Sequence, residues 1–140
     1  MIGSVHTSFT LPRSEQTRRV LRAFDAGIDV LGHPSGRLLG ERPEIDLDWD
    51  RVFDAAAEQG VLLEVNASPF RLDLWGERIR AARDRGALFV INSDAHSTSG
   101  LASQHLGVTQ ARRGWLEAQH VASTLSASAL ERRLGRAKRR

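Results

Sequence analysis

Short apolar runs recur along the chain, and each one turns polar at its C-terminal end. Met1 to Val5 leads into His6, Ile28-Asp29-Val30-Leu31 into Gly32-His33-Pro34, Val61 to Val65 into Asn66, and Leu88 to Ile91 into Asn92-Ser93-Asp94-Ala95-His96. Runs of this length and composition read as buried parallel strands. Between them, apolar residues recur at helical spacing: Val20, Leu21 and Phe24; Trp49, Val52, Phe53 and Ala56; Leu74, Ile79 and Ala82. The first of these helices is expected to start on Ser14 as its N-cap and to stop at Gly27. The second is expected over Leu47 to Gln59, stopped by Gly60, and the third over Asp73 to Arg85, followed by Gly86. Past His96 the pattern predicts a polar turn or short helix from Ser97 to Gln104 and a last short strand at Leu106-Gly107-Val108. A loop follows at Ala111 to Trp115, then helices at Leu116 to Ser123 and Ala127 to Ala137, with Ala122 to Ala129 as their junction.

Strands alternating with helices imply an α/β fold of parallel strands with outer helices. Four or five such strands make a small open sheet or half of a barrel. Met1 to Val5 looks like the last part of a strand, and a domain that opens in mid-strand suggests sequence missing upstream.

Composition narrows the class. A chain of 140 residues is at most one ordinary domain, and its 41% hydrophobic and 26% charged residues are those of a globular protein. No apolar run approaches the ~20 residues of a membrane helix. The N-terminus lacks the layout of a signal peptide. A cytoplasmic location with no membrane partner is therefore expected. There is no cysteine, so any metal must be held by nitrogen and oxygen ligands. The formal net charge is +3, and much of it sits at the end in Arg132, Arg133, Arg136, Lys138, Arg139 and Arg140. That tail reads either as a solvated terminus or as a non-specific contact to a phosphate backbone.

The histidines carry the chemistry. His6, His33 and His96 each end a predicted strand, and parallel strands bring such ends to one edge. Asp94 and His96, two residues apart in extended backbone, point to the same side. Three imidazoles and a carboxylate suit Zn²⁺, Mn²⁺ or Fe²⁺, and such sites activate water and clamp phosphoryl oxygens. The competing reading is a set of hydrogen-bonded core histidines, which fits His33 best because Pro34 follows it. Arg37 and Arg71, each in a loop just past a strand end, are candidates for a substrate phosphate or are simply solvated. His105 and His120 share no such context and are expected at the surface.

Ser4-Val5-His6, Asp29 to Pro34 and Asn92 to His96 resemble the later motifs of the PHP (polymerase and histidinol phosphatase) superfamily. Gly32 to Pro43, Leu62 to Leu74 and Ile91 to Leu116 resemble more particularly the PHP domain of bacterial family X DNA polymerases. The Asp-Ala-His and Gly-His-Pro motifs indicate only the superfamily, whereas Glu64 to Leu74 is the more specific signal. The resemblance covers nearly the whole chain. It implies the C-terminal half of a distorted (β/α)₇ barrel: residues 1–116 as a partial PHP domain and 117–140 as a helical, Arg-rich tail. By matching position, His6, His33, Asp94 and His96 are expected as metal ligands, with Asp94 and His96 catalytic. Up to three Mn²⁺ or Zn²⁺ ions are expected in the complete domain.

The implied activity is 3′–5′ exonuclease or 3′-end processing of DNA in repair, with DNA 3′ ends as substrate. The family's earlier His-x-His motif and the polymerase domain precede the point where this sequence begins. A gene fragment, a split gene or a misplaced start is therefore expected. So is a half-barrel with two open edges and an uncovered inner face, of marginal stability, impaired alone or completed by a polypeptide that supplies the other half. Two alternatives stand beside this: a non-catalytic remnant that binds metal or DNA, and a PHP-type phosphatase of a small metabolite such as histidinol phosphate. The stretch from Glu64 to Leu74 argues against the second.

Overall fold

Four strands form one parallel sheet in the order β1-β2-β3-β4. The computed structural model describes residues 1–137; Lys138, Arg139 and Arg140 of the basic tail lie outside the described residues, as does the side chain of Arg136. The strands are β1 (Ile2–Ser4), β2 (Val30–Gly32), β3 (Leu62–Asn66) and β4 (Phe89–Asn92). Ile2 pairs with Val30, Val30 with Leu62, and Leu63 with Phe89, so each strand lies beside the one that precedes it in sequence. Three helices make the crossovers: α1 (Arg13–Asp25), α2 (Trp49–Gln59) and α3 (Gly76–Asp84).

The period of two along the strands divides the sheet into two faces. Leu31, Leu63, Val65 and Phe89 point toward the helices and pack with Val20, Phe24, Val52, Phe53, Ala56, Ile79 and Ala82 into the main core. In α2, Trp49, Val52, Phe53 and Ala56 fall on one stripe. The Asp48 carboxylate accepts a hydrogen bond from the Arg51 N–H, and Gly60 closes the helix in the left-handed region at φ 73°. The other face carries Val30, Leu62 and Val90, which pack with Ala122, Leu88, Leu130 and Leu134. Burial of a side chain of this size contributes about 1.5–3 kcal/mol. The covering residues come from a C-terminal helix, α5 (Ala127–Ala137), and the short 3₁₀ turns before it. The face expected to be bare is thus covered at Val30, Leu62 and Val90, where the segment after residue 116 packs on the sheet.

The two edges of the sheet also differ. At β4, Val121 forms a bridge to Phe89, the Ile91 N–H donates to Ser123 Oγ at 3.0 Å, and Gln104 Nε2 donates to the Ile91 carbonyl at 2.9 Å. Side chains therefore occupy backbone groups that would recruit another strand. At β1, Met1 and Ile2 are exposed, and among the described residues this is the open edge.

Several elements depart from the sequence-based expectation. Helix α1 starts at Arg13, not on a Ser14 cap: Pro12 is extended (ψ 148°), and its carbonyl accepts from the amides of Glu15 and Gln16. Helix α3 starts at Gly76, not Asp73, because Asp73 is bonded through its backbone to Asn66 and through its carboxylate to Ser35. The short strand expected at Leu106-Gly107-Val108 lies inside helix α4 (Gln104–Arg113), as does most of the loop expected at Ala111 to Trp115. Gly107 is needed there, since a Cβ would sit 2.6 Å from Ile91 Cγ2 and 2.9 Å from Ala67 Cβ. The helix expected over Leu116 to Ser123 is two 3₁₀ turns, Ala118–His120 and Ala122–Thr124, separated by extended Val121. No helix among the described residues is long and apolar enough to cross a membrane.

Candidate metal centre

The C-terminal ends of β2 and β3 meet on a single buried carboxylate. Glu64 points to the inner face one step above Leu62, and its Oε2 accepts the backbone N–H of His33 at 2.5 Å and Asn66 Nδ2 at 3.0 Å. Its Oε1 accepts Asn92 Nδ2 at 2.8 Å, so the same carboxylate reaches β4. Gly32 leaves the space: a Cβ there would lie 2.5 Å from Ser4 Oγ and 3.7 Å from Glu64 Oε2.

His33 is buried, with its backbone in the left-handed region (φ 29°). That conformation turns its amide onto Glu64 while the imidazole faces His6, ring centroids 5.0 Å apart and edge to face. Burial lowers the His33 pKa below its ordinary value; the nearby Arg71 lowers it further, while Glu64 opposes. The ring is therefore biased toward the neutral form that offers a lone pair. His33 Nδ1 is buried and has no hydrogen-bond partner among the described residues.

Asp94 and His96 form a second group at the end of β4. Asp94 also has left-handed backbone, at φ 55°. Its Oδ2 lies 3.5 Å from Arg71 Nε, a partly exposed pair of modest strength. His96 is exposed, and its Nδ1 sits 2.8 Å from the Asp94 carbonyl oxygen. A carbonyl only accepts, so Nδ1 carries the proton and the neutral ring keeps its lone pair on Nε2.

The four expected ligands are thus placed as two pairs, His6 with His33 and Asp94 with His96. Among the described residues no three histidines or carboxylates converge closely enough to hold an ion. The donor chemistry fits a divalent metal all the same. His33 presents an orphaned buried nitrogen, His96 has its proton on the opposite nitrogen, and there is no cysteine thiolate.

The two arginines separate. Arg71 stands between the pairs, near both Asp94 and His33. Arg37 is turned away: its Nε donates to the Arg71 carbonyl at 2.7 Å, Nη2 donates to the Leu72 carbonyl, and its guanidinium stacks 4.2 Å from the Trp75 ring centre. Two of the five guanidinium N–H donors of Arg37 and one face of the group thus hold neighbouring loops. His105 is exposed as expected. His120 is half-buried, and its Nδ1 accepts the Glu117 N–H at 3.0 Å.

Sequence reasoning passed over Glu64, Asn66, Asn92 and Asp73. The available signal was a lone carboxylate inside an otherwise apolar strand. Asp73 is buried behind the site and accepts the Ser35 N–H at 3.2 and 3.0 Å through its two oxygens. Burial raises its pKa to about 7, against the pull of the Ser35 hydrogen bonds and of Arg37.

No family model matches the chain. Among curated proteins it is 37% identical over 132 residues to the DNA polymerase/3′-5′ exonuclease PolX of Bacillus subtilis, covering 94% of this chain and 23% of that protein. A probable phosphatase of Shewanella sp. strain ANA-3 is 32% identical over 91 residues, 60% of this chain and 34% of its own length. A probable phosphatase of Photobacterium profundum is 30% identical over 91 residues, 60% of this chain and 35% of its own. The chain therefore spans less than a quarter of the polymerase/exonuclease and about a third of each phosphatase.

Proposed function

We propose that this chain, similar along 94% of its length to part of the Bacillus subtilis DNA polymerase/3′-5′ exonuclease PolX, is a PHP-type segment and forms part of a metal-dependent phosphoesterase acting on phosphodiester bonds at DNA 3′ ends. The observation that carries the reading is the buried, unpartnered Nδ1 of His33, held at a strand end by Glu64 and set against His6. Imidazole burial without a partner is costly, and a ligand removes that cost. When bound, Mn²⁺ or Zn²⁺ supplies Lewis acidity toward a phosphoryl oxygen and a more acidic bound water. His6, His33, Asp94 and His96 are the residues that would hold it. Glu64 fixes the His33 backbone, the Asp94 carbonyl holds the His96 tautomer, and Arg71 offers positive charge toward the non-bridging oxygens. Two pairs of ligands rather than one converged set accord with an impaired activity for this chain by itself.

The relation to probable phosphatases favours a second reading, a phosphomonoesterase of a small metabolite. One comparison of substrates separates the two. With Mn²⁺ and a 3′-labelled oligonucleotide, the first reading expects metal-dependent release of nucleotides that Asp94→Ala abolishes. Release that the substitution leaves untouched, or hydrolysis of histidinol phosphate alone, overturns it.

A further inference from the structure

Phe70 is the most exposed aromatic residue among the described side chains, 71% accessible, in the loop that follows β3. Its exposure does not come from a loose loop. Ser68 N–H donates to Asn66 Oδ1 at 3.0 Å, and the amides of Arg71 and Leu72 both donate to the Ser68 carbonyl at 2.9 Å. Leu39 N–H donates to the Phe70 carbonyl itself at 2.8 Å. Arg37 clamps the carbonyls of Arg71 and Leu72, and Arg71 Nη1 donates back to the Arg37 carbonyl at 3.3 Å. These bonds fix the main chain of the loop that carries the exposed ring, next in sequence to the arginine near Asp94 and His33.

We propose that Phe70 is a stacking platform for a nucleobase of the strand whose phosphate lies at the His33–Asp94 edge. This rests on the phosphodiester reading and names what that site adds beyond phosphate chemistry. Phe70 and the exposed Leu39 bonded to its carbonyl, flanked by Pro69 and cationic Arg71, together remain a smaller apolar surface than a protein interface uses. The ring is the right size for one base, whose π-face any aromatic ring accepts irrespective of sequence, while the adjacent guanidinium favours a polyanion. A small phosphorylated metabolite without a base has nothing to place there.

The test uses the full chain with Mn²⁺ and a single-stranded oligonucleotide whose 3′-terminal linkage is a phosphorothioate, to slow hydrolysis. The terminal base is 2-aminopurine, and a second oligonucleotide has an abasic 3′-terminal nucleotide instead. Stacking predicts quenched 2-aminopurine fluorescence with the wild type and with Phe70→Trp. With Phe70→Leu, which keeps apolar bulk, it predicts lost quenching and about tenfold weaker binding. The abasic oligonucleotide is expected to bind wild type and Phe70→Leu alike. Equal affinity of both proteins for the 2-aminopurine strand overturns the stack and leaves the phosphodiester reading standing. A Phe70 dependence that persists on the abasic strand also overturns it, in favour of a contact to sugar or backbone. No binding of either strand by the wild type overturns stack and DNA reading together. Phe70-dependent binding without nucleotide release from an unmodified strand fails the hydrolytic reading alone.

Discussion

The two halves of the candidate site are built differently. At the ends of β2 and β3, a buried carboxylate with three donors fixes the backbone of a buried histidine. At the end of β4, an exposed histidine leans on the main chain of a partly exposed aspartate, whose side chain meets an arginine across 3.5 Å. The first half is part of the fold's polar interior. The second is held by local contacts of little strength. An ion or substrate that bridges the halves would do most of its ordering at β4.

That contrast can be broken by substitution. The largest expected effect is on the built half. Glu64→Leu strands the His33 amide, Asn66 Nδ2 and Asn92 Nδ2, and is expected to destabilise the chain by roughly 3–5 kcal/mol in chemical denaturation. Asp94→Ala in the same assay is expected to cost less than about 1 kcal/mol. Comparable losses for the two would erase the distinction.

A second test uses pH. The folded-state pKa of Asp73 is raised to about 7 from an ordinary 3.8, so the folded chain binds a proton that the unfolded chain has released. Stability from this group is fully present below the unfolded value and is lost as pH rises through the folded one. The slope approaches about 1.4 kcal/mol per pH unit in the window between them. Asp73→Asn keeps an acceptor for the Ser35 amide and is expected to flatten urea midpoints across that window. A wild-type midpoint that does not fall between pH 4 and 7 would contradict the burial argument.

The smallest effect falls on His96. Its replacement by alanine should leave stability within about 0.5 kcal/mol, as for other surface changes. Mn²⁺ affinity by calorimetry should drop. A stability loss without a change in affinity would make His96 structural.

How far the sequence reached follows from which forces are local. Three of the four strands were legible because Val30-Leu31, Leu62-Leu63 and Phe89-Val90-Ile91 can be buried on both faces only in a covered parallel sheet. The strand ends carrying His33 and Asp94 followed from that. Helix α4 was not legible: Leu106-Gly107-Val108 is too short a pattern to distinguish a strand, and the reason for Gly107 is its approach to Ile91 and Ala67, distant in sequence. The same holds for Arg37. Its loop position suggested a phosphate; that two of its donors bond carbonyls of another loop is a tertiary fact with no local trace. Glu64 was read only as part of a family-like stretch, although a carboxylate within an apolar strand has to be satisfied by something.

The strictly sequential order of the sheet has a consequence for synthesis of the chain. As they leave the ribosome, β2, β3 and β4 each find the strand before them already made, so pairing among these four can advance vectorially. The inner face of Val30, Leu62 and Val90 stays wet until α5 emerges to cover it. During that interval the nascent chain offers an apolar sheet surface, the stage at which it is most exposed to aggregation.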